Sequence, residues 1–143
     1  MPSHAEKKIL PYSPTQVFDM VADIAAYPDF LPWCIATRIR SVDDNQLVAD
    51  MVIGFKMFRE QFTSRVELNE PRSIEVKYEN GPFKYLKNKW VFESDENGNC
   101  LVDFSVEFEF RSQILEIAIG KIFTEAVHRM VSAFEKRADT LYG

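Results

Sequence analysis

The side chains that most often carry catalysis are few in this sequence. It has two histidines, His4 and His128, and two cysteines, Cys34 and Cys100. No group of histidine, cysteine and carboxylate side chains has the spacing of metal ligands or of a nucleophile with its base. A glycine-rich phosphate loop and a Gly-x-Ser-x-Gly elbow are also missing. The sequence therefore predicts a protein that is not an enzyme, binds no metal and requires no cofactor.

The aromatic residues favour binding instead, because 12 phenylalanines among 143 residues exceed what a routine core needs. A ligand cavity needs an apolar lining and a few polar groups. The strands would supply lining from Phe62, Val66, Tyr78, Trp90, Phe104, Val106 and Phe108, and the last helix from Ile119, Phe123, Val127 and Met130. The candidate polar groups are Ser64, the Tyr78 hydroxyl and the Trp90 indole N–H, although each is equally suited to a satisfied place in the core.

Two irregular segments add further candidates. Residues 27–34 contain three aromatic residues and two prolines four positions apart, which forbid a long helix. Phe30 and Trp33 in this segment either close the end of the core or line a ligand entrance. Phe55 and Phe58 flank a predicted hairpin tip that has no sheet face to cover. They either form a gate or membrane-contact loop with the lysine between them, or tuck over the rim of the core.

One long amphipathic helix, from Gln113 to Tyr142, is the element that must position these residues. Apolar side chains recur there every three or four positions, which is the spacing of one helical face. Ser112 is a suitable N-cap. Gly120 within the helix costs about 1 kcal/mol relative to alanine, and it either permits a bend or close approach to a ligand or is simply tolerated.

A sheet is predicted to supply the surface on which this helix lies. After a possible first strand at residues 3–10, a capping box at Ser13 starts a helix from Pro14 to about Ala25, and residues 27–34 allow one short helical turn. Six strand candidates with period-two alternation then follow, at 35–42, 47–55, 59–69, 73–79, 85–94 and 100–110. Asn97-Gly98 indicates a two-residue hairpin turn between the last two strands.

This order predicts a single α+β domain over residues 1–143. A curved antiparallel sheet of about seven strands would wrap around the long C-terminal helix, with two short helices after strand 1. A helix that crosses a curled sheet can leave a cavity beneath it. The geometry alone does not decide between such a cavity and a core that the aromatic side chains fill completely.

Four segments resemble the coenzyme Q-binding proteins of the START-like superfamily. They are Tyr27-Pro-Asp-Phe-Leu-Pro-Trp-Cys34, Gly81-Pro-Phe-Lys-Tyr-Leu86 followed by Trp90, the strand at 102–110, and the ending at 133–138. Together they extend over essentially the whole chain, in order. The same family includes bacterial proteins described as ribosome-association toxins.

The resemblance implies a helix-grip fold that holds a lipophilic quinone, ubiquinone, between the sheet and the long helix. It also implies a supporting role in cellular respiration. Quinone carbonyls accept hydrogen bonds, so hydroxyl and indole donors would suit them. The alternative that the resemblance permits is a factor or toxin that binds the large ribosomal subunit and blocks subunit joining.

Charge and hydropathy indicate the binding partners and the cellular location to expect. The formal net charge of −5 argues against a broad grip on nucleic acid, so DNA is not an expected partner and the ribosome is disfavoured. The first eight residues lack the apolar region of a signal peptide, and no apolar run is long enough to span a bilayer. We therefore expect a cytoplasmic protein with two reduced cysteines, whose contact with the inner membrane, if any, is peripheral.

Overall fold

A computed structural model of the chain describes residues 3–55 and 58–143, apart from the side chain of Phe55. Within those residues the chain forms seven β-strands, three α-helices and one 3₁₀ helix. In chain order these are β1 (Ser3–Leu10), α1 (Pro14–Ala22), the 3₁₀ helix (Ile24–Asp29), β2 (Cys34–Asp43), β3 (Gln46–Phe55), β4 (Phe58–Asn69), β5 (Ser73–Asn80), β6 (Phe83–Ser94), β7 (Cys100–Phe110), α2 (Gln113–Gly120) and α3 (Phe123–Tyr142).

All seven strands pair antiparallel in one sheet, in the order β1-β7-β6-β5-β4-β3-β2. Strands β2 to β7 form a meander, and β1 adds to its far edge, with Ser3 opposite Glu107 and Leu10 opposite Cys100. The α-helices α1 and α3 pack against the apolar face that the strand alternation creates. The predicted α+β helix-grip architecture is confirmed.

The first helix begins as the sequence predicts but ends sooner. The Ser13 hydroxyl accepts a hydrogen bond from the Gln16 N–H at 3.1 Å, and the Gln16 side chain accepts one from the Ser13 N–H at 3.0 Å, which completes the capping box. The α-helix stops at Ala22 rather than near Ala25, and a 3₁₀ helix follows it. The predicted short helical turn is this 3₁₀ helix, which begins at Ile24, before the predicted segment, and includes Pro28.

The loop between β6 and β7 is longer than the predicted two-residue turn. It spans residues 95–99, where the Asp95 carboxylate accepts hydrogen bonds from the N–H groups of Asn97 at 2.8 Å and Asn99 at 2.9 Å. Gly98 takes a positive φ of 80° within it. The prediction of a two-residue turn is wrong because the aspartate side chain organises a wider loop around itself.

The predicted single C-terminal helix is two helices. The Ser112 hydroxyl caps α2 by accepting the Leu115 N–H, as expected. The helix then ends at Gly120, and α3 begins at Phe123 with no side-chain cap at Ile122. Gly120 has no neighbouring side chain that requires a glycine, so its low helix propensity accounts for its place at the break. No helix among the described residues combines the length and the hydropathy that crossing a bilayer requires.

One buried carboxylate stabilises the sheet face that is turned away from the helices. Asp50 on β3 is buried and accepts hydrogen bonds from Arg40 Nε at 2.6 Å and from the Thr63 hydroxyl at 2.5 Å. Burial acts to raise the pKa of Asp50, but the hydrogen bonds from Thr63 and Arg40 outweigh it, so this pKa lies below its ordinary value. The three side chains tie β2, β3 and β4 together.

Candidate ligand cavity

A cavity of about 250 Å³ separates the curled sheet from α2 and α3. Its walls come from β3 to β7, from both C-terminal helices and from the segment around the 3₁₀ helix. Nearly all the lining side chains are apolar, and Glu60 is the one charged residue among those that the structure describes. The aromatic side chains therefore do not fill the space under the helices, and a ligand-sized void remains.

Most of the predicted lining residues do face this cavity. They are Trp33, Phe58, Phe62, Ser64, Val66, Trp90, Phe104, Val106, Phe108, Ile119, Phe123, Val127 and Met130. Strand alternation places the sheet residues on one face, and helical spacing brings the helix residues over them. Their contact with a ligand stays a prediction.

Phe30 and Tyr78 lie elsewhere, which corrects the prediction that they line a cavity. Phe30 packs edge-on against Tyr27 and Phe134, and the Arg137 guanidinium lies 5.1 Å from its ring centroid. It therefore closes the end of the core, which was one of its two predicted roles. Tyr78 packs edge-on against Phe83 at 5.5 Å, and its hydroxyl accepts the Phe83 N–H at 3.1 Å. Phe83 lines the cavity in its place.

The predicted gate at the β3–β4 hairpin is described only in part. Lys56, Met57 and the side chain of Phe55 lie outside the described residues, so their predicted role stays a prediction. Phe58 is half-buried and packs against the aromatic cluster around Phe83.

Two aromatic clusters line the cavity and account for much of the excess of phenylalanine. In the first, the Phe83 ring stacks on Phe110 at 4.7 Å and meets Phe62 and Phe108 edge-on at 5.5 Å each. Leu115 of α2 packs with this cluster. The rings lock one another in place, because edge-to-face and offset contacts each add about 0.5–1.5 kcal/mol beyond burial.

The second cluster surrounds Trp90 on β6. Its ring lies 4.6 Å from Phe104 of β7 and 5.1 Å from Phe134 of α3. The indole N–H donates to Asn88 Oδ1 at 3.2 Å, and the Asn88 amide donates to the Ser105 carbonyl at 2.9 Å. The Trp90 donor is thus already satisfied, which answers the question that the sequence left open for this group.

Two of the predicted ligand-binding residues still offer a polar group to a ligand, and they are Trp33 and Ser64. The Nε1 atom of Trp33 is buried and has no hydrogen-bond partner. Ser64 is buried on β4, and its hydroxyl forms no hydrogen bond to a residue that the structure describes. A buried donor without a partner costs about 1–3 kcal/mol, so a ligand that accepts from Trp33 would recover part of that loss.

Sequence reasoning missed Glu60 and Asn88 as lining residues. Both share the alternation phase of residues that were assigned inward, since Glu60 precedes Phe62 by two and Asn88 precedes Trp90 by two. That phase was the available signal. Both side chains are polar, so the apolar pattern of the strands does not include them.

The cavity comes close to the surface beside Trp33. A surface depression of about 180 Å³ there is formed with Pro32, Glu125 and Arg129, and it shares Trp33, Gly54, Ile122 and Ala126 with the cavity. The Gly54 N–H donates to the Trp33 carbonyl at 3.0 Å and holds the two segments together. The break between α2 and α3 lies at this same place.

The histidines and cysteines lie apart from the cavity interior. His4 Nε2 is 2.7 Å from a Glu6 carboxylate oxygen, and its ring centroid is 6.3 Å from that of His128. Cys34 and Cys100 are free and buried, and burial raises the pKa of each thiol to about 11. Among residues 3–55 and 58–143, no group of three or more histidine, cysteine or carboxylate side chains could hold a metal ion.

Comparison with known proteins identifies relatives over the whole chain. Residues 10–135 match the family described as polyketide cyclase / dehydrase and lipid transport. The chain is 42% identical over 142 residues to the ribosome association toxin RatA of Rickettsia prowazekii, covering 96% of this chain and 97% of that protein. It is 32% identical to the mitochondrial coenzyme Q-binding protein COQ10 homolog B of Xenopus laevis, covering 98% of this chain and 59% of that protein.

Two solved structures extend the comparison. The solution structure of the 18 kDa protein CC1736 from Caulobacter crescentus is 37% identical, with a TM-score of 0.79 over 100% of this chain and 99% of that one. The Zhui aromatase/cyclase from Streptomyces has a TM-score of 0.84 over 96% of this chain and 93% of that one, at 14% identity. The second likeness concerns the fold alone, since related folds carry different chemistry.

Proposed function

The chain belongs to the polyketide cyclase / dehydrase and lipid transport family, and we propose that it binds a lipophilic quinone, ubiquinone, without catalysing a reaction on it. The observation that carries this proposal is an apolar cavity with one buried, unpartnered indole donor. Such a site suits a mostly apolar molecule that offers a hydrogen-bond acceptor. A quinone ring has two carbonyl acceptors.

The volume of the cavity supports binding of a head group rather than of an entire long-tailed lipid. A cavity of roughly 150 Å³ holds benzene, so about 250 Å³ accommodates a substituted ring with the start of its tail. The remainder of an isoprenoid tail would have to leave the cavity through an opening. The region beside Trp33, where the cavity approaches the surface, is suited to that exit.

The polar groups fit the same ligand. The Trp33 N–H and the Ser64 hydroxyl are the buried donors that a quinone carbonyl could engage, and the surrounding phenylalanine rings would pack on the ring faces. Among the lining residues that the structure describes, no hydrogen bond pairs a base with a nucleophile, so we propose a carrier that holds its ligand unchanged. Its role would be to support respiratory electron transport from the cytoplasm, at the periphery of the inner membrane.

Titration with a short-tailed ubiquinone analogue, followed by tryptophan fluorescence, tests this proposal. Both tryptophans line the cavity, so a bound quinone should quench most of the emission. Ala126→Phe on α3 should abolish the quenching because the added ring fills the cavity. Thr124→Phe is the matched control, because Thr124 is exposed on the same helix. Equal quenching in both variants, or none in the parent protein, would contradict the proposal.

The second candidate function is association with ribosomes, which the name of the Rickettsia relative favours at 42% identity. In this case the chain would bind the large ribosomal subunit and block subunit joining. Sedimentation with isolated subunits at moderate salt tests it, since electrostatic adhesion weakens with salt whereas a specific complex persists. Stoichiometric cosedimentation by Ala126→Phe as well as by the parent chain would place this activity outside the cavity.

A further inference from the structure

Helix α2 is apolar on two opposite faces, although one of them lies in solvent. Its inner face carries Leu115 and Ile119, which line the cavity. Its outer face carries Ile114 and Ile117, which are 75% and 64% exposed. A helix that is apolar all round is ordinarily buried, so we expect the outer face of α2 to contact another molecule.

The outer isoleucines form one patch rather than scattered contacts. Ile114 and Ile117 are three residues apart and therefore adjacent on the helix surface, and Lys121 continues the same face at the end of α2. Other exposed aliphatic side chains, such as Val42 on β2, stand on separate elements. We call the face formed by Ile114, Ile117 and Lys121 the α2 patch.

Basic side chains lie at both ends of the α2 patch. Arg111 and Lys121 are exposed at the two ends of α2, whereas the chain as a whole carries a net charge of −5. The one carboxylate of α2, Glu116, is turned back onto the sheet, where it accepts the Phe110 N–H at 3.1 Å. The patch is thus apolar with basic ends, a pattern that matches a surface of acyl chains beneath anionic headgroups.

We propose that the α2 patch docks onto a bilayer containing anionic phospholipid, and that α2 is the lid through which the cavity exchanges its ligand with that bilayer. The inference deepens the proposed function, on which it rests for the lipophilic cargo. Because α2 covers the cavity with one face and meets the bilayer with the other, a single helix separates the cargo from the lipid phase. The uncapped break at Ile122 gives α2 a hinge relative to α3.

Flotation with vesicles tests the docking without any quinone present. The parent chain should bind vesicles of phosphatidylcholine mixed with phosphatidylglycerol, and bind pure phosphatidylcholine more weakly. Replacing either isoleucine, as Ile114→Asn or Ile117→Asn, should lower partitioning about tenfold because an aliphatic side chain leaves the acyl region. Lys121→Gln should lower it about fivefold on the anionic vesicles only.

Val42→Asn is the matched control, because Val42 is 74% exposed and lies on β2, away from α2. It should float like the parent chain. Equal losses in Val42→Asn and Ile114→Asn, or unchanged flotation of both isoleucine variants, would overturn the proposal. So would a change of oligomeric state in Ile114→Asn on size exclusion, since the patch would then join two copies of the chain.

Quinone titration in detergent separates this inference from the proposed function. The isoleucine variants should bind the short-tailed analogue as the parent chain does, because their side chains point away from the cavity. In vesicles, the same variants should take up quinone more slowly, about in proportion to their lost partitioning. Uptake from vesicles at the parent rate would overturn the role of α2 as a lid, even where binding in detergent upholds the cavity.

Discussion

Replacing Trp33 by phenylalanine should leave the free protein as stable as before, or more stable, while weakening ligand binding. This expectation departs from the usual outcome, since most substitutions of a tryptophan that contacts a core are destabilising. It follows from the buried Nε1 atom of Trp33, which has no partner in the protein. Trp33→Phe keeps an aromatic ring and removes that donor.

The magnitude follows from two opposing contributions. Loss of the second ring removes roughly 40 Å² of apolar surface, which is about 1 kcal/mol if fully buried and about half that for the partly exposed Trp33. Removal of an unsatisfied buried donor recovers about 1–3 kcal/mol. The free energy of unfolding should therefore rise by about 0.5–2.5 kcal/mol.

Trp90→Phe provides the matched control. The same chemical change at this buried site removes a satisfied donor and leaves Asn88 Oδ1 without its partner. Lost area of about 1 kcal/mol and an unpaired acceptor of about 1–3 kcal/mol then act in the same direction. Trp90→Phe should lower the free energy of unfolding by about 2–4 kcal/mol.

Urea unfolding followed by far-ultraviolet circular dichroism measures both variants, because this signal does not depend on the removed tryptophan. Quinone binding by Trp33→Phe should weaken about fivefold, which corresponds to the loss of one hydrogen bond of about 1 kcal/mol. If Trp33→Phe were destabilised as strongly as Trp90→Phe, the Trp33 donor would have a partner in solution and our reasoning about the cavity donor would fail.

Three further predictions follow from the fold. Gly81→Ala should lower the free energy of unfolding in urea by more than about 3 kcal/mol, because the φ of Gly81 is 147° and a Cβ there would lie 2.6 Å from the Phe62 Cβ. Gly98→Ala is the control and should lower it by about 1 kcal/mol, because a Cβ at Gly98 meets nothing within 4 Å. Equal losses of stability in the two variants would refute the clash at Gly81. Asp50→Asn should cost about 1–3 kcal/mol at neutral pH. Because the folded-state pKa of Asp50 is lowered, its contribution is complete above the unfolded pKa of about 3.9 and is lost as pH falls further, so the parent and variant curves should converge in acid and not in base. The two buried thiols, whose pKa burial raises to about 11, should react with a thiol reagent at mildly alkaline pH only after unfolding, and rapid labelling of the folded chain would contradict their burial.

The sheet was predictable because each strand repeats one simple signal. In β7 every second residue from Val102 to Phe110 is apolar, and this alternation predicts both the strand and its inward face. The capping box at Ser13 likewise fixed the start of α1, since its two hydrogen bonds are local. Features that depend on a few neighbouring residues, such as strand alternation and a capping box, can therefore be predicted from the sequence.

The helix break was not predictable from the same kind of signal. Apolar residues continue at helical spacing from Leu115 through Ile119 and Phe123, so this periodicity predicts one helix instead of two. In the structure α2 ends at Gly120, and α3 begins at Phe123 with no side-chain cap at Ile122. Gly120 marked the place, but its propensity alone could not decide between a bend and simple tolerance.

The polar character of the cavity depended on tertiary contacts that no sequence pattern records. Trp90 and Trp33 are the same residue type, and the sequence makes both of them candidates for ligand binding. Only the folded chain places Asn88 against the Trp90 indole and leaves that of Trp33 alone. Strand alternation therefore predicts which strand residues line the cavity. Whether a lining side chain has a free hydrogen-bond donor depends on the residues that surround it in the folded chain.

Extraction of the chain purified from its native host tests the central claim most directly. The protein and its Ala126→Phe variant, both shown to be folded and monodisperse, are extracted with organic solvent and analysed by mass spectrometry for quinones. The account predicts ubiquinone in near-stoichiometric amount from the parent chain and little from the variant. An extract of the parent chain that holds no lipophilic molecule would contradict the carrier function and leave ribosome association as the better-supported activity.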